Sequence, residues 1–82
     1  MNYAVIFTYT FDSEVVVYLF ATYEDAKKFL TDSYKEEMRI DIEENGWDSH
    51  GYIDEEEGAA YIFTRFSDHT DQTTMLIGNI YQ

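Results

Sequence analysis

The chain has no cysteine and no proline. Without thiols there is no disulfide, no thiolate nucleophile and no sulfur ligand for a metal. That fits a reducing compartment, and the expected location is the cytoplasm. Without proline there is no slow cis–trans step and no proline-rich linker. Only four glycines occur, Gly46, Gly51, Gly58 and Gly78. None has the spacing of a dinucleotide-binding or phosphate-binding loop. Lysine and arginine number 5 against 17 aspartates and glutamates. So few cations leave no basic footprint for direct contact with nucleic acid. An anionic membrane surface finds nothing to attract either. No apolar run approaches the roughly 18 residues of a membrane span. Met1-Asn2-Tyr3 runs straight into a strand-like segment and lacks the basic start of a secretory signal, so none is expected.

What remains is apolar and acidic at once. The 82 residues make one domain, 1–82. A domain this short buries only about 60% of the surface its unfolded chain exposes, so its core has to be dense. With 45% hydrophobic and 18% aromatic residues, including 8 Tyr and 6 Phe, the material is there. A disordered acidic tail would not carry it. The formal charge of −12 is a different matter. Self-repulsion of that size destabilises the compact state. A charge of about 2–8 is enough to keep a small domain soluble, so the excess asks for a reason.

Residues 3–11 are β-branched and aromatic, which predicts a strand. Asp12-Ser13 predicts a tight turn, and residues 14–20 a second strand pairing with the first. Thr22 stands at a helix N-cap with Asp25 three residues on, close to a capping box. Ala26, Leu30, Tyr34, Met38 and Ile42 recur every four residues with Phe29 beside them, which predicts a helix with one buried face. Asn45-Gly46 stops it, so the helix spans about 22–44. Residues 46–57 read as a loop, and strands follow over Ala59–Phe66 and Thr73–Tyr81. The expected fold is α+β: a four-stranded antiparallel sheet with one long helix packed on one face, in the order ββαββ.

Catalytic constellations are thin. His50 and His69 are the only histidines, and both fall in predicted loops. Asp48-Ser49-His50 are neighbours in sequence, which does not bring three side chains onto one reacting atom. A calcium loop starting at Asp41 matches at Glu43, Asn45 and Gly46, then fails where Tyr52 replaces the bidentate glutamate. Zinc lacks converging nitrogen or sulfur ligands. No enzyme, cofactor or metal site is expected. Tyr9, Phe11, Tyr18, Tyr61 and Phe63 have the ring chemistry to stack RNA bases, but the charge has the wrong sign. Those rings serve instead as core or as a protein-contact face.

The charge is patterned. Lys27, Lys28, Lys35 and Arg39 all lie on the helix, and only Arg65 lies outside it. From Ile40 to Ala60 there are acids and no basic residue. Asp41, Glu43 and Glu44 stand at the helix C-terminus, where the dipole prefers cations; each costs about 0.3–1 kcal/mol at low salt. Asp48, Asp54, Glu55, Glu56 and Glu57 continue the stretch, with Trp47 and Tyr52 inside it. Two readings stay open. One is a solvated acidic loop over an ordinary core tryptophan. The other is a partner-binding patch whose aromatics anchor an arginine-rich surface. Proteins that grip nucleic acid present such surfaces, and a rigid acidic face can occupy their groove.

In size, acidity, lack of cysteine and the carboxylate-rich 41–57 segment, the chain resembles small acidic proteins of phages and other mobile elements, notably anti-CRISPR proteins and related nucleic-acid mimics. The resemblance implies an inhibitor that blocks a nuclease or surveillance complex, such as a CRISPR effector, at its guide, target or motif-reading site. The expected function is to occupy the basic groove of a nucleic-acid-binding host protein. The alternative is a protein-interaction or homo-oligomeric assembly module that uses an aromatic sheet face.

Overall fold

The first two apolar runs pair with each other. A computed structural model describes residues 1–80 and sets Tyr3–Tyr9 (β1) antiparallel to Val16–Phe20 (β2). Both strands are shorter than the runs that encode them, and Phe11 and Glu14 fall in the connection. Within it the Glu14 amide donates to Asp12 Oδ1 at 3.0 Å, the local bond that makes aspartate a turn residue.

The helix begins as its N-cap dictates. Thr22 is extended, and its Oγ1 accepts from the Asp25 amide at 3.2 Å. The return bond that would complete a capping box does not form among the described residues. Asp25 is one methylene shorter than the glutamate that makes it. Tyr23–Arg39 (α1) runs into a π-helical turn, Ile40–Glu44. There the Asn45 amide donates to the Ile40 carbonyl, five residues back, at 3.0 Å. The helical stretch therefore reaches residue 44, but its last turn is wider than an α turn. The buried stripe fails at the same place. Ile42 is exposed and Asp41 is buried in its stead.

The sheet has five strands, not the expected four. Residues 48–54, expected to be loop, form a strand, Asp48–Asp54 (β3). It pairs antiparallel with Ala59–Arg65 (β4), which pairs with Thr70–Asn79 (β5). The alternation in Asp48–Asp54 is real but hidden. Ser49, Gly51 and Ile53 face the helix, while Asp48, His50, Tyr52 and Asp54 face away. Ser49 and Gly51 are small inward residues, and at residue 51 the space is taken by the backbone of β4 and by Tyr34 of α1. A Cβ at residue 51 would clash with the Tyr61 carbonyl oxygen and stand 3.1 Å from the Tyr34 hydroxyl. Gly58, at φ 70, closes the β3–β4 turn in a conformation that other residues rarely adopt. The Tyr81 end expected for the last strand lies outside the described residues.

Strand order is β2-β1-β5-β4-β3, antiparallel throughout. The helix covers one face. Val5, Ala26, Leu30, Ala60, Ile62 and Met75 form the core between helix and sheet. Leu30 and Ile62 are fully buried, worth about 1.5–3 kcal/mol each. The opposite face has no cover. Val17 and Leu19 stand 51% and 52% exposed there, continuous through the register with Ile6, Leu76, Tyr61 and Tyr52. The molecule is a rod, 44 × 23 × 21 Å. No helix of the described residues is long and apolar enough to cross a membrane.

Candidate protein-binding surface

The acidic stretch does not form one patch. β3 runs through its middle and sends its two ends apart. Seven residues at about 3.3 Å per residue put roughly 20 Å between them.

At the helix end the glutamates gather round one cation. Arg39 donates to Glu36 at 2.6 Å and to Glu44 at 2.7 Å, with Glu43 at 3.6 Å. The bonds to Glu36 and Glu44 raise the guanidinium pKa further above its ordinary range. The helix C-terminus is thus less frustrated than its carboxylates suggest. Asp41 takes no part in the cluster. It is 5% exposed, and its Oδ2 accepts from Ser49 Oγ at 3.0 Å and from Thr64 Oγ1 at 3.4 Å. Ser49 and Thr64 are themselves bonded at 2.7 Å. This stitch ties the π turn to β3 and β4, so Asp41 acts within the fold and not on its outer surface.

At the far end of β3, Asp54 to Glu57 make the turn. Asp54 Oδ1 accepts from the Glu57 amide at 3.1 Å, and Glu57 accepts from the Tyr61 hydroxyl. That bond, more than burial, pushes the Tyr61 hydroxyl up to about 12. Glu55 reaches Lys27 at 3.7 Å, and Glu56 points to solvent. At the start of β3, Asp48 pairs loosely with Arg65 at 3.9 Å.

The two aromatics part company as well. Tyr52 is on the uncovered face, 5.2 Å from the Tyr61 ring. Trp47 is on the helix side and 44% exposed, with its edge to Phe66 at 5.5 Å. It is not a core residue: it walls a cavity of about 100 Å³. Phe11, Glu37, Asp41, Thr64, Phe66, Asp71 and Thr73 complete the lining. Phe11, Glu37, Phe66 and Asp71 carry no sequence signal for this role. They come from separate parts of the chain and meet only in the fold. Burial first, then Asp41 and Glu36, push the Glu37 carboxyl above its usual range.

The expected aromatic face is also divided. Tyr61 and Phe63 lie on the open face, with His50 stacked on Phe63 at 5.7 Å. Tyr9 and Tyr18 point to the helix side, and Phe11 packs on Tyr9 at 5.1 Å. Between β2 and α1 run shallower depressions, floored by Phe7, Tyr18, Phe20 and Phe29 and rimmed by Asp25, Lys28, Asp32 and Glu36. His50 is a strand residue, not a loop residue, and His69 is engaged by Asp68 at 2.6 Å. Among the described residues no three or more histidines and carboxylates converge as metal ligands would.

Comparison with known proteins finds no matching family model, no matching curated protein and no matching solved structure.

Proposed function

We propose that this chain is an acidic binding domain that occupies the basic surface of a nucleic-acid-binding protein and so blocks or regulates it. One observation carries the reading. Among the described residues Lys27, Lys28, Arg39 and Arg65 are each paired with a carboxylate, which leaves Lys35 as the one lysine or arginine without an ion pair. Asp12, Glu14, Glu24, Asp25 and Glu56 make no ion pair among the described residues. The rod therefore presents unanswered negative charge at the β3–β4 turn, at the start of α1 and in the β1–β2 connection, with the carboxylates gathered on Arg39 at the other end of β3. Clusters about 20 Å apart on a stiff strand span several phosphate spacings of about 3.4 Å each. A groove built for phosphates meets charge at a comparable density, and encounter is electrostatically steered. A nuclease or surveillance complex, a CRISPR effector included, offers such a groove.

The test is capture of nucleic-acid-binding proteins from a bacterial lysate at low salt. Release on adding DNA, and at raised salt, is expected. Replacing Glu55 and Glu56 by Lys should weaken capture while leaving Asp54 and Glu57 to hold the turn. Binding indifferent to salt and to these reversals removes the electrostatic basis.

The uncovered sheet face favours a second reading, self-association. Val17, Leu19, Leu76 and Tyr52 form an apolar surface of the kind that marks interaction sites. Light scattering that returns a dimer, reverted to monomer by Leu19→Lys, would put this reading first.

A further inference from the structure

The cavity beside Trp47 has a composition that selects its occupant. Three of its walls are aromatic: Phe11 from the β1–β2 connection, Trp47 ahead of β3 and Phe66 after β4. Three more carry carboxylates: Glu37 on α1, Asp41 on the π turn and Asp71 on β5. At about 100 Å³ it is smaller than the roughly 300 Å³ at which ligand and cofactor pockets begin. It is large enough for a side-chain head group.

The carboxylates are poorly answered from within. Asp41 is almost wholly buried, yet both of its hydroxyl bonds fall on Oδ2. Oδ1 accepts no hydrogen bond among the described residues. Among the described residues no fully sealed polar atom lacks a partner, so Oδ1 keeps some access to solvent, and Asp41 is one of the residues that line the cavity. Glu37 takes part in no ion pair among the described residues, and Asp41 and Glu36 raise its pKa along with burial. Among the described residues only Asp71 has a basic side chain beside it, His69 at 3.5 Å. The groups do not converge as metal ligands. The cavity therefore suits one organic cation, desolvated against rings and bonded to carboxylates on more than one side.

Ammonium and guanidinium heads differ here. An ammonium is compact and strongly hydrated, and a half-enclosed apolar site pays it little. A guanidinium is planar and weakly hydrated, stacks on aromatic faces and spreads five donors in its plane. Walls of rings with carboxylates at their margins match the second. We propose that the Phe11–Trp47–Phe66 cavity is a receptor for a single arginine side chain of the basic partner, with Glu37, Asp41 and Asp71 taking its donors. The proposal rests on the reading of this chain as a binder of basic protein, and it assigns that partner's anchor residue.

Trp47 is the sole tryptophan, so its fluorescence reports on the site directly. The probe is the blocked tripeptide Gly-Arg-Gly, with blocked Gly-Lys-Gly at equal charge as comparison. A saturable change with the arginine peptide is expected, with affinity several-fold above that of the lysine peptide. Glu37→Gln and Asp71→Asn should each weaken it by roughly fivefold or more. Phe11→Leu keeps an apolar wall without the ring quadrupole and should also weaken it. Asp32→Asn, which is on α1 outside the cavity lining and paired with Lys28, should leave it unchanged. Equal affinity for the two peptides, or full affinity in all three cavity variants, overturns the proposal. Lysate capture that survives in the cavity variants overturns the cavity alone. Peptide binding without any salt-sensitive capture supports the cavity and overturns the wider reading.

Discussion

Gly51→Ala tests the strand that the candidate surface depends on. Residue 51 sits in the middle of β3, opposite Ile62, facing the helix. An added Cβ would clash with the Tyr61 carbonyl oxygen, and the Tyr61 carbonyl carbon and the Tyr34 hydroxyl both lie 3.1 Å away. The tyrosine hydroxyl is the end of a flexible side chain and can yield. The carbonyl belongs to the β3–β4 ladder and cannot move without breaking it. Overpacking of this kind costs about 1–3 kcal/mol, and occasionally more. Because the obstacle is backbone, the upper half of that range applies. For a domain of this size each kcal/mol lowers Tm by roughly 4–8 °C, so a fall of about 10–20 °C is expected. Thermal unfolding followed by circular dichroism measures it. Amide exchange in β3 and β4 should quicken, while β1 and β2 stay protected. Tyr34→Phe added to Gly51→Ala should rescue little, since it leaves the carbonyl in place. A variant that melts within a couple of degrees of the parent would mean that residues 48–54 do not pair with β4 in this register, and the placement of Asp41, Trp47 and Tyr52 would fall with it.

Two further tests concern titration. Glu57→Gln should bring the Tyr61 hydroxyl down from about 12 toward the ordinary tyrosine value of 10, because the bond to the Glu57 carboxylate is its largest cause; an absorbance titration of the tyrosines unchanged by the substitution would contradict the contact. Glu37 has its folded pKa raised, so its stabilising contribution is complete below the ordinary glutamate value of 4.5 and is lost as pH rises through the raised value. Glu37→Gln should therefore gain stability over the parent as pH climbs from about 4.5 through the raised value and hold that gain above it, and a Tm difference that stays flat across the climb would sink the assignment.

Much of the architecture was legible because local preference and tertiary outcome agree. Residues 3–9 and 16–20 are β-branched and aromatic, and they pair with each other. Thr22 caps α1 as its side chain predicts. β3 was hidden because Asp48, Ser49, His50, Gly51 and Asp54 each disfavour a strand in isolation. What makes it one is the neighbouring edge of β4, whose backbone lies too close to residue 51 for any side chain there. The candidate surface was legible only as composition. Asp41 looks like a surface acid until Ser49 and Thr64, 8 and 23 residues away, are seen to hold it. Glu43 and Glu44 look unanswered until Arg39 is placed between them and Glu36. Trp47 looks like either core or anchor until it is seen half-exposed beside Phe66 as the wall of a cavity. Phe11, Glu37, Phe66 and Asp71 have no common pattern to search for, since their meeting is a property of the whole sheet.

The centre of that sheet is the pairing of β1 with β5, from Tyr3 opposite Asn79 to Tyr9 opposite Thr73. These are among the most distant strands in the chain, and they must meet before the core can close. On the ribosome, β1 and β2 can form their hairpin early, but the hairpin waits for β5 to leave the exit tunnel. Until then Val5 and Phe7 have no partner strand on one side, and the uncharged edge of the hairpin is open to any other nascent chain. A strong excess of negative charge keeps half-made copies apart during that interval.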